Sequence, residues 1–315
     1  MTTFKTIVFG PTGNVGSATA RSAQQQGAKV VLAMRDPQKP IPGLSVEQEA
    51  EGGFERIQAD LTKPETIAMA VNQTGAKHAF IYAAFGTSDN MRSCITALKS
   101  AGIKFVVFLS SDGIQSDIRS VPQSDFIAWA HAQVEVNLDE IFGPDGFVAV
   151  RPNYFASNAL WWKKMISEGE VKMAYPDAKF DWITPEDIGR LCGTLLARGL
   201  QVFDGTDKNI IHLCGPELVS QRDAVGIIGR AIGQNINITE LDAQEGLEMY
   251  VKGHGLPEPV AKRLIEVLRM RTEDEGSDKL YHTYKEAKDN VMKYTGGQST
   301  RLHEWVDENK QKFSA

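Results

Sequence analysis

Seven residues constrain this chain more than any other stretch. GPTGNVG, Gly10 to Gly16, stands between the apolar run Thr6–Phe9 and a helical pattern over Asn14–Gln26. Gly10 permits a tight turn, Gly13 lets backbone approach a phosphate with no β-carbon in the way, and Gly16 lets the helix pack closely on the strand. The helix N-terminus then presents free N–H groups and partial positive charge to a diphosphate. Ser17 occupies the place where a Walker A loop requires lysine, so this is not a loop of that kind. A glycine triad alone is also compatible with a purely structural turn. The strand before it, the helix after it and the βαβ unit around it point to dinucleotide binding.

The rest of the first half repeats the alternation. Strands are predicted at Thr6–Phe9, Lys29–Met34, Phe54–Asp60, His78–Ala84, Ile103–Ser111 and Phe147–Pro152. Helices are predicted over Asn14–Gln26, from Pro64 with Thr62 as its cap, over Asp89–Ala101 and over Ser124–Phe142. Near-continuous apolar strands belong to a parallel sheet covered on both faces. The fold class is therefore α/β, a Rossmann-type doubly wound parallel sheet with a smaller, mostly α C-terminal lobe. In the second half, Thr184-Pro185 opens a helix with Asp187 at the third helical position, an acidic capping box. Asn209–Gly215 reads as a strand and Ser220–Gly233 as a helix. The tail from Asn235 is helical and polar, with a charged stretch at Arg269–Lys279 that reads as a solvated loop or helix end. The expected division is a cofactor-binding domain over residues 1–156, with elements near 180–214 returning to it. Residues 157–179 and 215–315 would form a smaller substrate-binding lobe.

Composition removes several function classes. The net charge of −6 gives no basic face for nucleic acid or acidic membrane. No run of about 20 apolar residues is present to span a membrane, and the first residues read as strand rather than signal peptide. Cys94, Cys192 and Cys214 are far apart and the six histidines are scattered, so no metal pattern arises and a reducing, cytoplasmic setting is expected.

The second strand ends at Met34 and is followed by Arg35-Asp36. The end of this strand faces the adenosine ribose, where a guanidinium fork holds a 2′-phosphate. Arg35 therefore predicts NADP(H). The competing reading makes Arg35 a surface residue and Asp36 a ribose ligand selecting NAD. Asp60 and Leu61, ending the third strand, are placed beside the adenine, or Asp60 only caps a turn.

GPTGNVG, Arg35, QADLTKPETI, YAAFG, VVFLSSDGI, HAQVEVNLDEIFGPDGFVAVRPNYFASN and DWITPEDIGRL occur in that order. The ordered set resembles the NmrA-like group of atypical short-chain dehydrogenase/reductases, over roughly residues 4–230. That group includes isoflavone-reductase-like enzymes, quinone reductases, triphenylmethane reductases and NADP-sensing regulators. The resemblance implies that Gly10, Thr12, Gly13, Asn14 and Val15 wrap the diphosphate and Arg35 takes the 2′-phosphate. It implies that Ala83, Ala84 and Phe85 border the adenosine ribose and the cofactor's middle. Ser110 and Ser111 would lie near the nicotinamide ribose, and Pro152, Asn153, Tyr154 and Phe155 would flank the nicotinamide and the substrate mouth.

One departure bears on chemistry. Ordinary short-chain dehydrogenases use a Tyr-x-x-x-Lys pair, and Ser124–Phe142 contains neither residue type. Where isoflavone-reductase-like members begin a Lys-x-x-Val-Glu pattern, this chain has His131. His131 is a candidate proton donor or acceptor, or a helix-surface residue paired with Glu135 one turn on. Tyr154 is a second candidate acid, or an aromatic packed at the sheet edge. Ser111 and Asp112 are substrate-side candidates, although SSDG also reads as a turn. Phe155, Trp161 and Trp182 supply aromatic surface for a flat conjugated ligand, with Met165 and Met173 as adaptable neighbours. Trp162 reads as core, and Trp182 reads equally well as core.

The expected function is an NADPH-dependent reductase of a small apolar or aromatic substrate such as an enone, quinone, imine or ketone, acting as a monomer or homodimer. His131, or a water it orders, would supply the proton. An iminium acceptor would need no proton donor. The alternatives are a non-catalytic NADP(H)-sensing regulator that binds a protein partner, and a redox-neutral isomerase or cyclase on the same scaffold.

Overall fold

Seven parallel strands form the centre of the computed structural model, which describes residues 4–203, 209–273 and 284–314. In chain order the strands are β1 (Lys5–Phe9), β2 (Lys29–Met34), β3 (Glu55–Gln58), β4 (His78–Tyr82), β5 (Phe105–Leu109), β6 (Phe147–Pro152), β7 (Glu170–Ala174), β8 (Lys179–Phe180), β9 (Ile210–Leu213), β10 (Val219–Ser220) and β11 (Asn237–Leu241). The main sheet runs β3-β2-β1-β4-β5-β6-β9, the Rossmann order with β9 as seventh strand. The reversal at β1–β4 opens a crevice at the strands' carboxyl ends, and the glycine turn lies there.

Alternation along each strand supplies both faces. Ile7, Val31, Ile81, Val106, Phe108 and Ala149 pack on one side, beneath α3 (Pro64–Thr74), α4 (Arg92–Ser100) and α5 (Phe126–Phe142). Val8, Leu32, Phe80, Val107, Val148 and Ile211 pack on the other. That side is covered by α1 (Asn14–Gln25) and α7 (Pro185–Arg198). These two helices touch backbone to backbone. A β-carbon on Gly189 would stand 2.3 Å from the Ala18 β-carbon, and one on Gly193 would stand 2.5 Å from that of Ser22. Small residues here let α1 lie flat under the sheet, which fixes the height of the turn at its N-terminus.

The second half builds its own core of Trp162, Phe180, Trp182, Val225, Ile228, Trp305 and Phe313. β7 pairs in parallel with β11, and β8 pairs antiparallel with β10. Around them lie α6 (Lys163–Ser167), α8 (Gln221–Ile232), α9 (Ala243–Glu248) and α10 (Glu258–Glu273). α11 (Tyr284–Ala287), α12 (Asn290–Thr295) and α13 (Leu302–Asn309) follow.

Local details differ from the sequence expectations in instructive ways. Thr62 does not cap α3. Lys63 stands at the cap, and Thr62 turns back to Asp60, donating its amide at 3.0 Å and its hydroxyl at 2.8 Å. Thr184 does cap α7, accepting from the Asp187 amide at 3.1 Å. The Asp187 side chain does not close the box, because Arg190 and the amide and hydroxyl of Thr300 occupy its carboxylate. A helix unforeseen in the sequence, α2 (Val46–Gly52), is started by Ser45 and Gln48 in a reciprocal capping box. The charged stretch Arg269–Lys279 begins inside α10, and its first half is not all solvated: Arg271 is buried. Residues 274–279 of that stretch lie outside the described residues.

Candidate active site

The glycine turn divides its labour as the geometry requires. Gly10 has φ +70° and donates its amide to Ala33 at the end of β2 (3.2 Å). A β-carbon on Gly16 would stand 2.2 Å from the Gly10 carbonyl oxygen. At Gly13 the nearest atom would be 3.5 Å away, so the missing side chain there leaves open room. Thr12, Gly13 and Asn14 are exposed, while Val15 is buried against the sheet. α1 begins with no side-chain cap and no acid in its first turn. Its leading amides have no intrahelical acceptor, so the turn is an unblocked anion cradle. That fits a nucleotide diphosphate.

Three charged or polar groups converge beside the cradle. Arg35 is exposed at the end of β2, with its carbonyl accepting from Gln58 Nε2 at 3.0 Å. The Asp60 carboxyl is held below its usual range, first by the Thr62 amide and also by the charges of Lys63 and Arg35. Tyr82, to which the sequence assigned no role in the site, ends β4 and lies against Gly10. Its Cε1 would be 2.6 Å from a β-carbon there. Burial is the main force raising its phenol pKa, while Arg35 pulls it back. Leu61 is buried in the core, Ala83 and Ala84 are half-buried, and Phe85 stands 54% exposed at the rim.

His131 meets this rim from α5. Its ring stands edge-on to Phe85 (5.5 Å between centroids) and tilted over Phe108 (6.3 Å), with Phe126 beyond Phe85 at 6.0 Å. Nδ1 lies 2.8 Å from the Ile127 carbonyl, an acceptor only, so Nδ1 carries the hydrogen and Nε2 the lone pair. Burial pushes the imidazole pKa down, outweighing the Ile127 carbonyl and the Glu135 charge.

Glu135 is not the hydrogen-bond partner of His131. It lies under the sheet, where Arg151 of β6 takes both its oxygens, and Ser110 donates its hydroxyl to Oε1 at 2.5 Å. The Ser110 hydroxyl therefore faces the interior rather than the carboxyl edge, and Ser110 is buried. Ser111 accepts from the Gly113 amide at 3.1 Å, the turn chemistry that its sequence also allowed.

A second polar cluster closes the carboxyl ends of β5, β6 and β9. Pro152 is buried and accepts the Asp112 amide at 3.1 Å. Asn153 donates Nδ2 to Asp112 at 3.3 Å and accepts from Arg271 at 3.3 Å. Arg271 also donates to the Lys179 carbonyl (3.1 Å) and lies 4.5 Å above the Phe180 ring. Tyr154 stacks on the same Phe180 ring at 3.9 Å, with Trp182 edge-on at 5.0 Å. Burial raises the Tyr154 phenol pKa well above its ordinary value, so it is a poor acid. Phe155 is half-buried and bridges to Ile183. Trp182, placed at the substrate mouth by one of its two readings, is instead core: it is 1% exposed and donates its indole N–H to the Val219 carbonyl. Trp161 is exposed and lies near His254, at 5.9 Å.

The doubly wound sheet and open glycine turn define a Rossmann-type protein. The sequence profile of the NmrA-like family matches residues 2–306, and the chain belongs to that family. It is 37% identical to the nitrogen metabolite regulation-like protein bik4 of Gibberella fujikuroi, over 96% of this chain and 95% of that protein. It is 24% identical to an NAD(P)H azoreductase of Xenophilus azovorans, over 98% and 99% of the two chains. Among solved structures, the NADP(H) complex of a Citrobacter triphenylmethane reductase superposes with a TM-score of 0.68 at 15% identity, covering 97% of this chain and 100% of that one. An NADPH-dependent quinone oxidoreductase of Escherichia coli gives 0.67 at 18% identity, over 96% and 99%.

Proposed function

We propose that this chain is an NADPH-dependent reductase of small conjugated or aromatic acceptors. The observation that carries the reading is the juxtaposition of the unblocked amides of Asn14 and Val15, beside the open space at Gly13, with an exposed guanidinium at Arg35. That pair suits a diphosphate with a 2′-phosphorylated ribose. The azoreductase and the quinone and triphenylmethane reductases named above support the same reading. When bound, the reduced nicotinamide supplies hydride.

The chain's own residues bind, orient and exclude water. Thr12, Gly13, Asn14 and Val15 hold the diphosphate. Ala83, Ala84 and Phe85 line the path toward the nicotinamide end. Phe85 and Phe126 offer aromatic faces to a flat acceptor, and His131, neutral and with Nε2 bare, accepts a hydrogen bond there. Pro152, Asn153 and Phe155 flank the far end of the cofactor. The proposed setting is cytoplasmic.

The bik4 relative favours a second reading, a regulator that senses NADP(H), and the lack of tyrosine and lysine in α5 agrees with it. One experiment separates the two. NADPH-loaded protein is mixed with a quinone, an azo compound and a cationic triphenylmethane dye. A reductase oxidises NADPH with at least one of them. A sensor binds NADPH and leaves it reduced with all three.

A further inference from the structure

The last strand of the sheet carries a histidine that the sequence reading passed over. His212 of β9 places Nδ1 2.6 Å from Asp112 Oδ1. Asp112 is 4% exposed and firmly held. Its amide is donated to Pro152, and its second oxygen receives Asn153 Nδ2 at 3.3 Å and Gln115 Nε2 at 3.2 Å. The His212 side chain retains 21% of its surface. A fixed carboxylate behind an imidazole sets which nitrogen faces outward: Nδ1–H is committed to Asp112, and Nε2 is left for other partners. The carboxylate also compensates the ring's charge whenever the ring is protonated. The pair spans β6 from the carboxyl ends of β5 and β9, on the edge where open α/β sheets bind ligands, and Asn153 at the end of β6 ties it to the segment that flanks the cofactor's far end.

We propose that His212, oriented by Asp112, is the proton donor of the reaction; this rests on the reductase reading above. His131 is ill suited to the task. Its Nδ1–H is spent on the Ile127 carbonyl and no carboxylate backs its ring, because Glu135 is taken by Arg151 and Ser110. Tyr154 is stacked on Phe180 and set edge-on to Trp182, and burial pushes its phenol pKa up. With a neutral azo acceptor the step balances as follows. As one nitrogen gains hydride from the reduced nicotinamide, an N–H bond forms and the N=N π bond opens. The released pair on the second nitrogen takes a proton from Nε2 of His212 in its doubly protonated form, which leaves the neutral ring with Nδ1–H still on Asp112, and water returns a proton to Nε2. One NADPH and one proton are consumed for each hydrazine formed.

A cationic triphenylmethane dye supplies the control, since hydride alone neutralises it and no proton is needed. The test compares His212→Gln and Asp112→Asn with the unaltered protein in single-turnover reduction of a neutral azo compound and of the cationic dye. His212→Gln should lower azo reduction by about 10²–10⁴-fold. Dye reduction and NADPH affinity, read by nucleotide fluorescence, should be unchanged. In ¹⁵N-labelled protein without cofactor, the His212 Nδ1–H resonance should be visible and shifted downfield by the carboxylate, and Asp112→Asn should remove that shift. If Asp112→Asn fails to fold, the partly exposed His212→Gln carries the comparison. Equal loss with both acceptors, an unchanged azo rate, or no carboxylate-bonded Nδ1–H overturns the proposal while leaving the reductase reading in place. If the unaltered protein binds NADPH and reduces neither acceptor, the reductase reading falls and the proposal with it.

Discussion

Arg151 of β6 grips Glu135 of α5 with two sides of its guanidinium, Nε to Oε1 at 2.9 Å and Nη2 to Oε2 at 2.6 Å, both residues buried. Nη1 reaches the Ile114 carbonyl at 3.3 Å, and Ser110 completes the set on Glu135. The pair joins the strand that leads into Asn153, the helix that carries His131 and the loop that carries Asp112. It ties three segments of the candidate site together from beneath.

Removing one half leaves the other charged and dry. Arg151→Leu should destabilise the fold by about 3–5 kcal/mol, and Arg151→Leu combined with Glu135→Leu should recover a large part of that loss. Urea unfolding of the single and double variants measures both.

Gly16→Ala tests the cradle's construction. The added β-carbon would meet the Gly10 carbonyl at 2.2 Å, so the turn must shift. Overpacking of this kind costs about 1–3 kcal/mol. The expected outcome is a lower melting temperature and loss of NADPH binding by calorimetry. Gly13→Ala, whose β-carbon meets nothing closer than 3.5 Å, should fold normally and still bind more weakly.

Arg35→Ala tests cofactor choice. Loss of a charged hydrogen-bond pair to the 2′-phosphate should raise the NADPH Kd about ten- to a hundredfold and leave NADH nearly untouched. Parallel fluorescence titrations with the two coenzymes read the ratio. An unchanged ratio would move the 2′-phosphate contact away from Arg35.

Burial raises the carboxyl of Asp181 to about 6 against an ordinary 3.8, with Arg271 and the amides of Gly215 and Tyr154 pulling the other way. The folded state therefore holds this proton more tightly than the unfolded chain. Stability from this group is fully present below about pH 4 and is lost as pH rises through about 6, on the order of 3 kcal/mol in all. Asp181→Asn removes the titration. The stability difference between the two proteins should tilt toward the variant across that window and stay level above it.

What the sequence made legible follows the range of the interactions. Gly10, Gly13 and Gly16 announce the turn because their jobs are local, set by φ and close packing within one βαβ unit. β1, β2, β4, β5 and β6 were legible because burial on both faces writes a near-continuous apolar run, whereas the edge strand β3 is only partly buried and reads less cleanly. β9 was found as a strand, but its place as seventh in the sheet is a tertiary fact. Glu135–Arg151 and Asp112–His212 are separated by 16 and 100 residues, and no periodicity couples them. Arg271 stood in a charged run that resembles solvent-facing helix; its burial depends on Asn153, Phe180 and Lys179, all far away in sequence. Tyr82 adjoined the recognised Ala83-Ala84-Phe85, yet only the fold lays it on Gly10.

The central claim is that this chain passes hydride from NADPH to a conjugated acceptor. The most direct measurement is single-turnover mixing of protein loaded with NADPH, deuterated at the transferred position, against an azo compound, a quinone and a cationic triphenylmethane dye. The account predicts that reduced-nicotinamide absorbance falls in step with product, and that the deuterium is found on the reduced dye, where it cannot exchange. Tight NADPH binding with the nicotinamide still reduced after mixing with every acceptor would contradict it.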